Sequence, residues 1–566
     1  MTVLTCGNPS GVFAGKTGWC RLGIGIIAAL VAVVGCFGAD PAQAEPPVTA
    51  PPVLTKVWLD HPLITAGQAT RVHVLIDLVA EKPAAGAAGQ RPKVNLGLVL
   101  DRSGSMEEKG KIEYLRDAAK LAVDRLTATD RLAVVEYDDR ITVLWPSQLV
   151  TAPDTIKALI SRLTPRGSTN LTGGMMAGAE QVAAHVGPDS VTRVLLLTDG
   201  LANQGITSPA EIKTLVRQAK ARGVRFSTIG LGLDYNEKLL QMIAEVGGGS
   251  YSYVENPKQM VRIFEQEVLA LANTVARDCR LLFRPGSGGV SAKVTAPGLI
   301  SRAEGETTIV DLEDFTAGES RSVLLRLELA AINGGKQTLG GLELQCQDAR
   351  TRQPVNDRSD LTIEASADQK AIEQALVPRV AAEALIAEAN ETHAASLSQF
   401  EAGQGAAATQ GLRDKAEEVE RLNRKLKDPR LAAKLEALRL DADEMAKPVA
   451  AAPPAGQMPS QMYGRAASSA PAAPDAYALN MMKRSHQQIY QASRGKTDFL
   501  LLKPGDTGPR VAELQEALKK AGLYSGPIDA TYSETVAKAV REYQKRESMP
   551  EDGMAGPATM QKLGLY

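Results

Sequence analysis

Two short apolar runs constrain this chain more than anything else in it. Val94-Asn-Leu-Gly-Leu-Val-Leu100 and Val194-Leu-Leu-Leu-Thr198 are nearly continuous rather than alternating, the pattern of strands covered on both faces of a parallel sheet. Parallel strands need crossover connections, and helical periodicity recurs between and beyond the two runs. The spacing predicts helices near 109–126, 154–163, 173–185, 209–221, 236–245 and 257–271, with strands at 132–137, 191–198, 224–230 and 250–254. The expected fold is an α/β doubly wound, Rossmann-like domain over residues 92–271.

Both runs end at an acid. Asp101-Arg-Ser-Gly-Ser105 follows the first and Asp199-Gly200 the second, while Arg166-Gly-Ser-Thr-Asn-Leu-Thr172 opens a helix with Thr169 free to contribute. Ligands of open α/β sheets gather beyond the carboxyl ends of the strands, so Asp101, Ser103, Ser105, Thr169 and Asp199 can converge there. Oxygen donors alone suit a hard cation, Mg²⁺ or else Ca²⁺ or Mn²⁺. With hydroxyls as most of the donors, the ion keeps a position for a carboxylate from another protein. The competing reading makes Ser103 and Ser105 caps of the helix near 109, which leaves Thr169 and Asp199 unexplained.

This pattern resembles the von Willebrand factor A domain and its metal-ion-dependent adhesion site. The family's DxSxS is matched by Asp101, Ser103 and Ser105, its threonine by Thr169 and its second aspartate by Asp199. The resemblance implies a metal-dependent binding module whose protein ligand presents an exposed Asp or Glu.

With 64 basic and 65 acidic residues the net charge is -1, which offers no field for gathering nucleic acid. Enzyme signatures are missing as well. His61, His73, His185, His393 and His486 lack zinc-ligand spacing, and there is no Gly-x-Ser-x-Gly elbow. The sequence therefore predicts a binding protein with no catalytic residues.

Residues 1–44 read as a secretory signal: Lys16 and Arg21 precede the apolar stretch from Leu22 to Phe37, and Ala42-Gln-Ala44 offers a small-residue cleavage pattern. Val33-Val-Gly-Cys36 also resembles a lipobox, so acylation at Cys36 competes with cleavage after Ala44, and an uncleaved anchor is a third reading. Each exports the bulk of the chain to the periplasm or cell envelope. Cys279 and Cys346 then form an even pair in an oxidising compartment, open between a disulfide and two buried thiols.

Alternating segments at 53–91 and 279–365 are expected to form one β-sandwich-like domain, interrupted by the α/β domain or beside it. Residues 367–447 carry helix formers, with a bend at Gly403-Gln-Gly405, and 448–497 read as a flexible linker rich in Pro, Ala, Ser and Gln. The charges from Glu417 to Lys425 read as a solvated helix face.

Residues 500–566 contain a turn-then-helix unit twice, carrying Leu514-Gln515, Tyr543-Gln544 and Asp552 to Thr559. They resemble the peptidoglycan-binding-like domain, a small all-α fold, which implies peptidoglycan as a partner. One departure is Asp529-Ala530 where that family often has Asp-Gly, which puts the local turn in question. Thr535 and Thr559 are expected to cap helices. The leading expectation is a cell-envelope binding protein that captures an acidic residue of a partner while its tail holds the wall. The rivals are an accessory subunit of a membrane or transport assembly and, less favoured, a wall-processing enzyme.

Overall fold

The structure is a computed structural model that describes residues 51–81, 91–255, 257–286, 292–295, 301–447, 476–494, 501–506 and 509–565. The expected signal segment with Cys36 lies outside the described residues, as do 82–90, 448–475 and 495–500.

The apolar runs become the central strands Lys93–Asp101 and Ser190–Thr198 of a six-stranded sheet. Its order is Ile141–Leu149, Arg131–Tyr137, Lys93–Asp101, Ser190–Thr198, Arg225–Leu231, Tyr251–Val254, with every neighbouring pair parallel except the first. The two faces bury separate cores. Leu96, Leu98 and Leu100 pack under helices Lys111–Asp124 and Pro257–Ala272, while Val99, Val135 and Leu196 pack under Leu171–Ala183, Pro209–Ala221 and Glu237–Gly247. Both faces being covered is why the runs do not alternate. Helix Leu171–Ala183 comes unusually close: a Cβ at Gly178 would sit 2.3 Å from Val99 Cγ2. That contact seats the helix whose N-terminal loop carries Thr169.

The antiparallel edge strand Ile141–Leu149 was not expected from sequence; it contains Pro146, which an edge tolerates, and most of its residues are exposed.

Segments on both sides of the α/β domain share one sandwich. Strand Thr70–Ala80 pairs along its length with Ser320–Leu329, in the sheet Val53–Leu59, Thr70–Ala80, Ser320–Leu329, Ala292–Thr295. The facing six-stranded sheet includes Thr274–Pro285 and Gly335–Asp348 at its centre, and the interior joins Val72, Val74 and Ile76 to Leu281, Phe283 and Leu344. Cys279 and Cys346 lie buried in that interior as free thiols on those neighbouring strands.

The α/β domain docks through the amino ends of its strands. Arg225, at the start of Arg225–Leu231, reaches Asp314 of the sandwich, whose side chain is 9% exposed, at 2.7 Å, and Arg193 reaches the same carboxylate at 3.5 Å. The carboxyl ends, where the candidate site lies, point away from the sandwich.

Helices Pro378–Glu401, Gly405–Leu426 and Pro429–Met445 form a bundle, broken at 402–404 close to the expected bend. Within the expected linker 448–497 the described part requires correction: Ala476–Ser493 is a helix. It adds Met481 and Met482 to the bundle core and Tyr490 to the α/β core. Its polar residues also cross domains: Lys483 pairs with Glu237, Arg484 with Glu255, Ser485 with Asp441 and His486 with Glu401. Its order is tertiary in origin, and composition alone carries no trace of it. Helices Pro509–Lys520, Glu534–Arg546 and Pro557–Lys562 make the C-terminal unit, tied to the α/β domain by Arg262 and Glu513 at 2.6 Å. Among the described residues no helix is long and apolar enough to cross a membrane.

Candidate metal centre

Strand Lys93–Asp101 delivers Asp101 and strand Ser190–Thr198 delivers Asp199, both completely buried. The Ser103 N–H donates to Asp101 Oδ1 at 2.8 Å, which folds the following loop back over the strand end. The hydroxyls of Ser103 and Ser105 then lie 3.2 Å apart, and Ser105 donates to Asp199 Oδ1 at 2.6 Å. Thr169 reaches the same place from the other side: a Cβ on Gly200 would meet Thr169 Oγ1 at 3.4 Å and Ser105 Oγ at 3.6 Å. All five sequence-predicted residues are thus brought together. The capping reading fails on geometry, because Ser103 precedes the 3-10 turn Gly104–Gly110 without any side-chain cap bond.

A second layer holds the Thr169 loop. Arg102 and Arg166 converge on buried Asp138 at 2.8 and 2.7 Å, the Arg166 N–H donates to the Arg102 carbonyl at 2.8 Å, and the Gly104 N–H donates to the Gly167 carbonyl at 3.1 Å. Burial pushes the Asp138 carboxyl up, but the Arg140 N–H, Arg166 and Arg102 outweigh it and leave it below its ordinary value. Asn203 Oδ1 accepts from the Thr169 N–H at 2.9 Å, tying the loop after Asp199 to the loop before helix Leu171–Ala183.

The electrostatics favour a cation. Burial pushes the Asp101 carboxyl up to about 6; hydrogen bonds from Thr198 and Ser103 offset this in part, and the nearby Asp199 charge adds to it. Asp199 has a counter-charge, the Lys111 ammonium at 2.6 Å, whereas among the described residues the donors to Asp101 are neutral: the Ser103 N–H at 2.8 Å, Thr198 Oγ1 at 2.6 Å and the Tyr137 hydroxyl at 3.3 Å. Two buried carboxylates therefore meet one ammonium. A hydroxyl that donates its proton, as Ser105 does to Asp199, still has lone pairs to offer a metal. The residues present fit a hard divalent ion.

Lys111, Tyr137, Thr198 and Asn203 were not singled out from sequence. Lys111 reads there as one more charge at a helix start, and Thr198 as the end of an apolar run.

Residues 95–266 match the von Willebrand factor type A domain, and residues 507–563 match the putative peptidoglycan binding domain. An uncharacterized Synechocystis protein, sll0103, is 30% identical over 312 residues, which span 53% of this chain and 73% of that protein. The chain belongs to the von Willebrand factor type A domain proteins. This family member is also 31% identical over 261 residues to the uncharacterized Escherichia coli protein YfbK, spanning 44% of each chain, so less than half of that relative is matched. The human inter-alpha-trypsin inhibitor heavy chain H4 is 24% identical over 225 residues, 35% of this chain and 24% of that protein. Among solved structures, a von Willebrand factor type A protein from Catenulispora acidiphila superposes with a TM-score of 0.55 at 19% identity, covering 68% of this chain and 89% of that one, and so shares its fold.

In the tail of this von Willebrand A protein the motif glutamines are structural. Gln515 is fully buried and donates to Asp529 Oδ1 at 2.7 Å, and Gln544 repeats the arrangement with Asp552 Oδ1 at 2.7 Å. Thr559 does not cap: it is buried within Pro557–Lys562, and its hydroxyl accepts from Gln544 at 3.4 Å. Thr535 likewise engages the Ser533 hydroxyl, at 2.6 Å.

Proposed function

We propose that this protein is a non-enzymatic cell-envelope binding protein, exported across the cytoplasmic membrane. Its α/β domain captures an exposed Asp or Glu of a protein partner through a divalent cation, Mg²⁺ before Ca²⁺ or Mn²⁺, and its C-terminal domain binds peptidoglycan. Ser103, Ser105 and Thr169 would hold the ion, with Asp101 and Asp199 as the negative charge behind them. The ion supplies Lewis acidity toward an incoming carboxylate. The observation that carries this reading is the convergence of three hydroxyls on two buried carboxylates, of which Asp199 alone has an ammonium partner among the described residues. With its few direct charges, such a site leaves the ion underneutralised, and a partner's acid completes it.

Titration calorimetry of the full chain with Mg²⁺ and Mn²⁺ tests the site. Asp101→Ala is expected to abolish binding while leaving the circular dichroism spectrum unchanged; equal binding by both proteins would refute the metal reading. For the wall, a chain lacking residues 500–566 is expected to stop co-sedimenting with purified sacculi. Persistent co-sedimentation would remove peptidoglycan from the tail's role.

A further inference from the structure

Lys111 is the first residue of helix Lys111–Asp124, immediately behind the metal-site loop. The positive end of a helix dipole disfavours a cation there. Lys111 is nonetheless only 5% exposed, and a Cβ on Gly232, in the loop after strand Arg225–Leu231, would meet its Cε at 4.0 Å. Nζ donates to Asp199 Oδ2 at 2.6 Å and to the Ser105 carbonyl at 3.4 Å. A buried ammonium at a helix start is unfavourable by itself and persists only with a dedicated counter-charge. Among the described residues its carboxylate partner is Asp199.

We propose that Lys111 is a resident counter-ion of the metal site. Its ammonium holds Asp199 in the binding geometry when no divalent ion is present, and by neutralising that carboxylate it limits how tightly the ion is held. This inference rests on the metal reading above. Of the site's two acids it leaves Asp101 without a charged partner among the described residues, so a bound ion keeps most of its attraction for a carboxylate from outside. Lys111 thus acts through Asp199 as a positioning residue and sets affinity in the direction of exchange rather than permanent occupancy.

The test is titration of full-length Lys111→Met with Mn²⁺ and Mg²⁺, paired with thermal unfolding in chelator and in excess Mg²⁺. Removing a positive charge beside a metal-site carboxylate is expected to tighten Mn²⁺ binding at least about tenfold. The melting temperature in chelator should fall, and the rise on adding Mg²⁺ should exceed that of the wild type. Lys111→Gln, which keeps a donor to Asp199 without the charge, should tighten binding too and be the milder variant in chelator. A merely structural lysine predicts the opposite, weaker binding in step with lost stability. If both variants bind Mn²⁺ no more tightly than the wild type while Asp101→Ala abolishes binding, the counter-ion role falls and the metal reading stands. If the wild type and Asp101→Ala titrate alike, both fall together.

Discussion

The Thr198 hydroxyl donates to Asp101 Oδ2 at 2.6 Å, so the last residue of one central strand orients the acid that ends its neighbour. Thr198 is completely buried, and with the Tyr137 hydroxyl it meets the same oxygen from the sheet side. Partners of this kind fix a ligand's direction, and removing them typically lowers metal affinity by about 10- to 100-fold. Thr198→Val, close in volume, should therefore weaken Mn²⁺ binding by about tenfold or more with the fold intact. Calorimetry that finds unchanged affinity would show that Asp101 needs no such orientation.

The α/β domain and the sandwich meet around Asp314, whose carboxylate faces Arg225 at 2.7 Å and Arg193 at 3.5 Å. Burial pushes this carboxyl up, yet the charges of Arg225, Arg193 and Arg277 bring it below its ordinary value. Removing one partner of a buried pair leaves the others uncompensated and costs about 3–5 kcal/mol. Asp314→Ala is expected to lower stability by about that amount in guanidinium unfolding. It should also separate the transitions of the two domains, followed by the fluorescence of Trp145 in one and Trp58 in the other. A single unshifted transition would place the coupling elsewhere.

The parts of this architecture visible in sequence are those fixed by local chemistry. Asp101 and Asp199 stood out because each ends an apolar run, and the interrupted sandwich because Thr70–Ala80 and Ser320–Leu329 alternate alike. Lys111 was invisible because nothing around it in the chain says that Asp199, 88 residues away, will bury it. Helix Ala476–Ser493 was missed for the same reason: Lys483, Arg484 and His486 look like solvated charges until Glu237, Glu255 and Glu401 of other elements meet them.

That helix gives a pH prediction. His486 Nε2 lies 2.8 Å from Glu401 Oε1, and this bond together with Lys238 holds the Glu401 carboxyl at about 2, against the opposing effect of burial. A carboxyl lowered in the folded state contributes stability that is present above its unfolded value of about 4.3 and is lost as pH falls through the folded value. Hydrogen exchange in residues 476–494 should therefore accelerate, relative to the sheet, between about pH 4 and pH 2. Glu401→Gln should show faster exchange already at pH 7 and a smaller acid response. An acid response identical in the two proteins would assign it to other carboxylates.

The tail contains its own control. Gln515 and Gln544 each clasp an aspartate-led turn, with Gln515 Oε1 accepting from the Ala530 N–H at 3.0 Å and Gln544 Oε1 accepting from the Gly553 N–H at 2.9 Å. Both turn residues are left-handed, Ala530 at φ 57 and Gly553 at φ 70, so the unit with alanine keeps the turn that glycine makes in its twin. A left-handed alanine carries about 1–2 kcal/mol of strain, which glycine would relieve in part because it also loses more chain entropy on folding. Ala530→Gly should therefore stabilise the tail by up to about 1 kcal/mol, seen as slower exchange in helices Pro509–Lys520 and Glu534–Arg546. The reverse change should be harmful. A Cβ on Gly553 would lie 2.6 Å from Arg541 Nε, so Gly553→Ala combines the same backbone strain with a displaced arginine and should cost more than Ala530→Gly contributes. Destabilisation by Ala530→Gly would mean that the alanine methyl has a packing role outweighing its backbone strain.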